Sequence, residues 1–295
     1  MKSKLKESTK YIGFLLTLVS FYYIILSLIQ NYNKIEQLLT GEILFFAILL
    51  GLLLYTVSQF NLVLAWQILL KKQYPKIKFK IFYYIVGISQ IGKYLPGNIG
   101  HVIGRVYLAQ KFKIKILDSS KSLVYESILV VFAGMIVSLG YFNYYKNNIL
   151  GINITAFKVL FLATLISILI YLFYPTNKKQ RFLNIKSVLT ILLLYIFSFA
   201  MLGLILYFIQ FLLNTTEYIS LTKYIVVITI SFIAGYIVPG SPAGIGIREF
   251  VFVTILSNEI DTSVSLALIF ILRIITILGD ILMYLISLKT KAAYS

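Results

Sequence analysis

The sequence predicts an all-α polytopic membrane protein: six full transmembrane helices plus two re-entrant or broken-helix hairpins, arranged as an inverted 3+3 repeat. Hydrophobic residues make up 60% of the chain and charged residues 13%, too little polar surface to cover a soluble core of this size. Apolar runs recur at the length of a membrane crossing, about 20 helical residues for a hydrocarbon layer of about 30 Å, and lack the alternation of a membrane barrel. Finally, two apolar segments are interrupted by Pro96-Gly97-Asn98-Ile99-Gly100 and by Pro239-Gly240-Ser241-Pro242-Ala243-Gly244, each followed nine residues after its first Pro by an Arg, Arg105 and Arg248. Such breaks at matching places in two halves of a membrane protein point to a substrate site built from discontinuous helices.

The first crossing, 11–29, follows a basic start (Lys2, Lys4, Lys6, Lys10); its length and lack of a small-residue cleavage site mark a retained span rather than a signal peptide. Crossings at 43–70, 122–142, 156–174, 188–213 and 264–288 come next, with hairpins at 81–110 and 224–250. The alternative, that each hairpin is a pair of kinked spans, is weighed by charge. If the hairpins return to the side they left, 19 of the 27 Lys and Arg fall on the side of the N-terminus. The other side keeps Lys34, Lys146, Lys158 and Lys223 beside Glu36, Glu42, Glu217, Glu259 and Asp261. The positive-inside rule then places both termini in the cytoplasm and the chain in the cell membrane. Spans one and four, two and five, and three and six begin 145, 145 and 142 residues apart. The expected units are therefore 1–150, with a cytoplasmic-side hairpin, and 151–295, with an external-side hairpin, forming one integrated membrane domain.

After the loops are accounted for, Lys93, Arg105, Arg248 and Arg273 remain in apolar segments, with Glu126, Glu249 and Asp280. A charge at the centre of a span costs on the order of 3 kcal/mol, so these groups must be paired, hydrated or near an interface. Arg273 and Asp280, seven apart on the last span, share a face but stand about 10.5 Å apart along the axis. Depth suggests Glu249 as partner for Arg273, and Arg105 or Lys93 as partners for Glu126 and Asp280. Three of the four Arg lie in these segments while the cytoplasmic loops use Lys almost throughout, a division that suits Arg to binding phosphate or carboxylate.

The breaks have a physical basis. Pro96 and Pro239 interrupt the helical ladder, and Gly97, Gly100, Gly240, Gly244 and Gly246 permit tight turns and close backbone approach. A helix restarting after such a turn offers free N–H groups and the positive end of its dipole to an anion. His101, four residues before Arg105, is placed to donate to a phosphate or to sit as an interfacial polar residue. The 23 Tyr and 22 Phe read mostly as lipid-facing or interfacial packing. With no Cys and a single His, neither a thiolate metal site nor a disulfide framework is expected, and no metal or cofactor is assigned. The net charge of +17 follows from topology and does not call for nucleic acid.

The segment Ile237-Val-Pro-Gly-Ser-Pro-Ala-Gly-Ile-Gly-Ile-Arg-Glu249 resembles the Pro-x-x-Pro-Gly-Gly-x-Gly-x-Arg-Glu signature of the lysylphosphatidylglycerol synthase transmembrane, or flippase-like, family. Gly92-Lys-Tyr-Leu-Pro-Gly-Asn-Ile-Gly-His-Val-Ile-Gly-Arg105 resembles its first-half motif. Ala243 departs from a Gly common in the family and His101 from an acidic residue. The resemblance implies a stand-alone membrane domain that moves lipids with charged or phosphate-bearing headgroups between leaflets: a phospholipid, an aminoacylated lipid or a polyprenyl-phosphate-linked glycolipid. Its partner would be membrane lipid, with a glycosyltransferase or aminoacyltransferase as a further partner and a homodimer as an assembly to test.

The reading is a lipid flippase or scramblase rather than an enzyme. Lys93, His101, Arg105, Arg248 and Glu249 are the headgroup candidates, and Glu126, Arg273 and Asp280 the polar path. No ATP-binding Gly-rich loop is present, nor a paired-acid motif for an intramembrane hydrolase. The alternative is an accessory subunit of a lipid-linked glycosyltransferase or glycolipid pathway, recruited through the basic loops.

Overall fold

A computed structural model describes residues 2–38, 41–95, 99–140, 184–215, 217–238 and 241–291. Among these the regular elements are all helical: α1 (Lys2–Leu38), α2 (Gly41–Lys71), α3 (Phe79–Gln90), α4 (Gly100–Lys111), α5 (Ile116–Ser138), α6 (Ile185–Leu213), α7 (Leu221–Ile237), α8 (Ile247–Leu256) and α9 (Thr262–Lys291), with 3-10 turns at Ile91–Tyr94 and Pro242–Gly244. The expected span at 156–174, and Pro96, Gly97, Pro239 and Gly240, lie outside the described residues.

Four described helices, α2, α5, α6 and α9, are long and apolar enough to cross a membrane, and the chain is a multi-pass membrane protein. They contain or largely overlap the apolar runs at 43–70, 122–142, 188–213 and 264–288. The third begins six residues earlier than its hydropathy suggests, because Lys115 is still extended and Asp118 then occupies the first turn, where a carboxylate suits the positive helix end. The run at 11–29 lies within α1, which extends beyond it at both ends. Leu53, Leu193 and Leu285 are more than half exposed, as suits a surface solvated by hydrocarbon. The interior is filled by fully buried Trp66, Phe82, Tyr224 and Phe252.

Each Pro-Gly segment is flanked by described helices that do not run on as one element. The first runs α3, the turn Ile91–Tyr94, then α4; the second runs α7, the turn Pro242–Gly244, then α8. At 1.5 Å per residue, α3 and α4 are each about 18 Å long and α8 about 15 Å, well short of a hydrocarbon core of about 30 Å. The two turns touch each other. Around them α2 packs along α6, α5 joins α6 and α7, and α9 lies against α1, α2, α3 and α8.

The start of α9 is fixed outside the apolar region. Asp261 accepts the Ser263 backbone N–H and hydroxyl, both at 2.8 Å, and pairs with Lys34 of α1 at 3.1 Å. These bonds, first those from Ser263 and then the one from Lys34, hold its carboxyl below the usual range. A depressed folded-state pKa contributes stability that is complete above the unfolded value, about 3.9, and is lost as pH falls through the folded value. Acid titration of thermal stability in detergent is therefore expected to show a decline below about pH 4 that is smaller in Asp261→Asn.

Candidate functional site

Three ion pairs and one further cation surround the meeting point of the two breaks. Arg105 on α4 is buried and gives Nη1 to both Glu126 oxygens on α5, at 2.7 and 3.0 Å. Its guanidinium stands 5.4 Å from the centre of the Trp66 ring, which is itself fixed by a 2.9 Å bond from Nε1 to Ser122. Lys93, in the first turn, reaches Asp280 of α9 at 2.6 Å. Asp280 is fully buried, and also accepts Tyr94 at 2.5 Å, Tyr55 at 3.1 Å and the Gln59 amide. Arg273, two turns earlier on α9, pairs through Nε with Glu249 of α8 and gives Nη1 to the Ala243 carbonyl at 3.3 Å. Depth along the spans suggests the pair Arg273–Glu249; it leaves open which of Arg105 and Lys93 meets Glu126 and which meets Asp280, and the structure pairs Arg105 with Glu126 and Lys93 with Asp280.

The second turn needs unusual backbone. Ala243, Gly244 and Gly246 have φ of 50°, 73° and 87°. A non-glycine residue in this left-handed region costs about 1–2 kcal/mol, so Ala243 is held there by its neighbours, Arg273 among them. This is the position where the resembling signature carries Gly. Glu249 then folds back to accept the Gly246 N–H at 2.7 Å, closing the first turn of α8.

Arg248 goes the other way. One residue is about 100° around a helix, so while Glu249 turns to Arg273, Arg248 turns inward beneath Gly235 and Gly244. A Cβ added to Gly235 would stand 2.6 Å from Arg248 Cγ, and one added to Gly244 2.6 Å from its Nε. The two glycines form the slot through which this side chain passes. Its guanidinium lies 4.1 Å from the Phe232 ring centre, and Phe232 stacks on Tyr236. Among the described residues no carboxylate pairs with it.

A cavity of about 190 Å³ opens between these groups, lined by Lys93, His101, Arg105, Glu126, Arg248 and Arg273 among others. Around it Gln90 Oε1, His101 Nδ1, Arg105 Nε, Arg248 Nε and Arg273 Nη2 are buried without a hydrogen-bond partner among the described residues. Unsatisfied buried groups are few in native proteins and call for an explanation at each site; here the Arg nitrogens are donors, and all five atoms belong to lining residues.

A family model described as the lysylphosphatidylglycerol synthase TM region matches residues 11–283. The chain belongs to this family. No curated protein matches it in sequence. Membership makes it a lipid-related membrane protein, of a kind of domain compatible with a role other than catalysis.

Most of the residues singled out from sequence thus come together in this member of the family, with two differences. Glu249 and Asp280 stand behind the cavity wall, because each is consumed by bonds that hold a turn in place. The aromatic residues carry more of the site than packing alone explains: Tyr55, Tyr94, Tyr195, Tyr236, Phe199 and Phe232 all line the cavity. Gln59 and Gln90 are further lining residues, legible as polar interruptions of apolar helices. Gly100 serves the first break: a Cβ on Gly92 would meet the Gly100 carbonyl carbon at 2.6 Å, so the two arms touch backbone to backbone.

Proposed function

We propose that the protein is a lipid flippase or scramblase of the cell membrane, and that the cavity takes the phosphate-bearing headgroup. The observation that carries this reading is Arg248: a permanent cation, held in a glycine slot at a helix break and, among the described residues, in ion-pair contact with no carboxylate. An unpaired buried charge is strongly unfavourable, and a phosphate would satisfy it with charge-assisted bonds. Arg105, with Lys93 and His101 beside it, forms the opposite wall.

In this reading the hairpins are re-entrant, enter from opposite sides, and belong to two inverted three-span repeats with cytoplasmic termini. The short arms α3, α4 and α8 and the basic residues outside the spans support it. The acyl chains stay in hydrocarbon while the headgroup crosses between the breaks, and the three ion pairs hold the surrounding helices.

Reconstitution into liposomes with leaflet-specific quenching of labelled phospholipid tests the proposal. Wild type is expected to move lipid above empty liposomes, and Arg248→Ala and Arg105→Ala to slow it about tenfold or more, since a charge-assisted bond contributes about 1.5–3 kcal/mol. Equal movement by all three proteins would remove the assigned Arg roles.

A further inference from the structure

The cavity's charges can be balanced almost completely. Lys93 is matched by Asp280, Arg105 by Glu126 and Arg273 by Glu249. Counting His101 as neutral, the surplus is one positive charge, on Arg248. The lack of a carboxylate for Arg248 does not depend on residues 141–183, which contain no Asp or Glu; the surplus of one is counted over the described residues. Apart from Glu7, every acidic side chain of the protein belongs to a residue whose surroundings are described, and none of these forms an ion pair with Arg248.

We infer that the site is matched to a lipid headgroup of one net negative charge, a phosphodiester rather than a phosphomonoester, with Arg248 as its counter-ion. The inference rests on the flippase reading and adds selectivity to it. A singly charged phosphodiester brings the described charges of the site to a sum of zero. A phosphomonoester that has lost its second proton leaves one negative charge without a partner, in surroundings where Coulomb terms are far larger than in water. A zwitterionic headgroup brings a cation into a site whose carboxylates are already committed. The approach to Arg248 is narrow: the Phe232 ring face fills one side of its guanidinium, and the Gly235–Gly244 slot closes on its Nε.

The experiment compares phosphatidylglycerol with phosphatidic acid of identical labelled chains, in alkaline buffer where the monoester is doubly charged. Wild type in liposomes is expected to move phosphatidylglycerol about tenfold faster, the ratio set by a penalty of about 1.4 kcal/mol. Glu126→Gln keeps an oxygen for Arg105 while raising the surplus to two, and is expected to shrink or invert that ratio. Native mass spectrometry of wild type taken from vesicles holding both lipids equally should show the same preference without relying on the variant. Equal rates for the two lipids, above those of empty liposomes, would overturn the selectivity and leave the flippase reading standing. Absence of protein-dependent movement of either lipid would overturn both. An unchanged ratio in folded Glu126→Gln would refute the charge matching.

Discussion

Asp280→Ala is expected to destabilise the protein by about 3–5 kcal/mol, the loss typical of removing one partner from a buried ion pair. Asp280 is the acceptor for Lys93, Tyr94, Tyr55 and Gln59, so its removal strands one cation and three neutral donors inside the bundle. A typical domain has about 5–15 kcal/mol in total, and such a loss should be visible as a large fall in thermal midpoint in detergent. Asp280→Asn is the informative companion. It keeps the size and one acceptor oxygen but not the charge, so it should recover part of the hydrogen bonding while Lys93 remains uncompensated. Pairing it with Lys93→Met, which removes the stranded cation, should restore stability relative to Asp280→Asn alone. A double variant no more stable than Asp280→Asn would show that the ion pair is not what that carboxylate contributes.

The second large effect is expected at Glu249. Glu249→Ala removes both the partner of Arg273 and the acceptor of the Gly246 N–H. About 3–5 kcal/mol from the broken pair is joined by about 1 kcal/mol from the lost cap. The pair can be isolated by a double-mutant cycle with Glu249→Gln and Arg273→Met, read from thermal or denaturant unfolding in detergent. Groups in contact couple by about 0.5–3 kcal/mol, so the double variant should be less destabilised than the sum of the singles. Strict additivity would show that Arg273 contributes through the Ala243 carbonyl and its packing instead.

Much of the architecture was legible because the membrane penalises its exceptions. An apolar run leaves only a helix as its solution, and a Lys, Arg, Glu or Asp inside one must find a partner at its own depth; that is why Arg273 could be matched to Glu249 from sequence, while depth matched Arg105 and Lys93 to Glu126 and Asp280 only as a set. Direction around a helix was not legible from depth alone. Arg248 and Glu249 are adjacent in sequence and read as one site, but the turn at Gly246 sends one into the cavity and the other to α9. The aromatic lining escaped for a different reason. Tyr and Phe are tolerated at lipid, interface and core alike, so Tyr55, Tyr94 and Phe232 carry no penalty that would reveal which of 23 Tyr and 22 Phe face the polar interior.

The last helix holds both breaks. Asp280 fastens the first turn and Arg273 the second, two turns apart on one stiff rod. A pivot of that rod between its two fastenings carries them in opposite senses, so whatever draws one break inward pushes the other away. In the proposed flippase, two breaks hung from a single lever cannot both swing outward at once, so a headgroup would pass without a pore opening for ions.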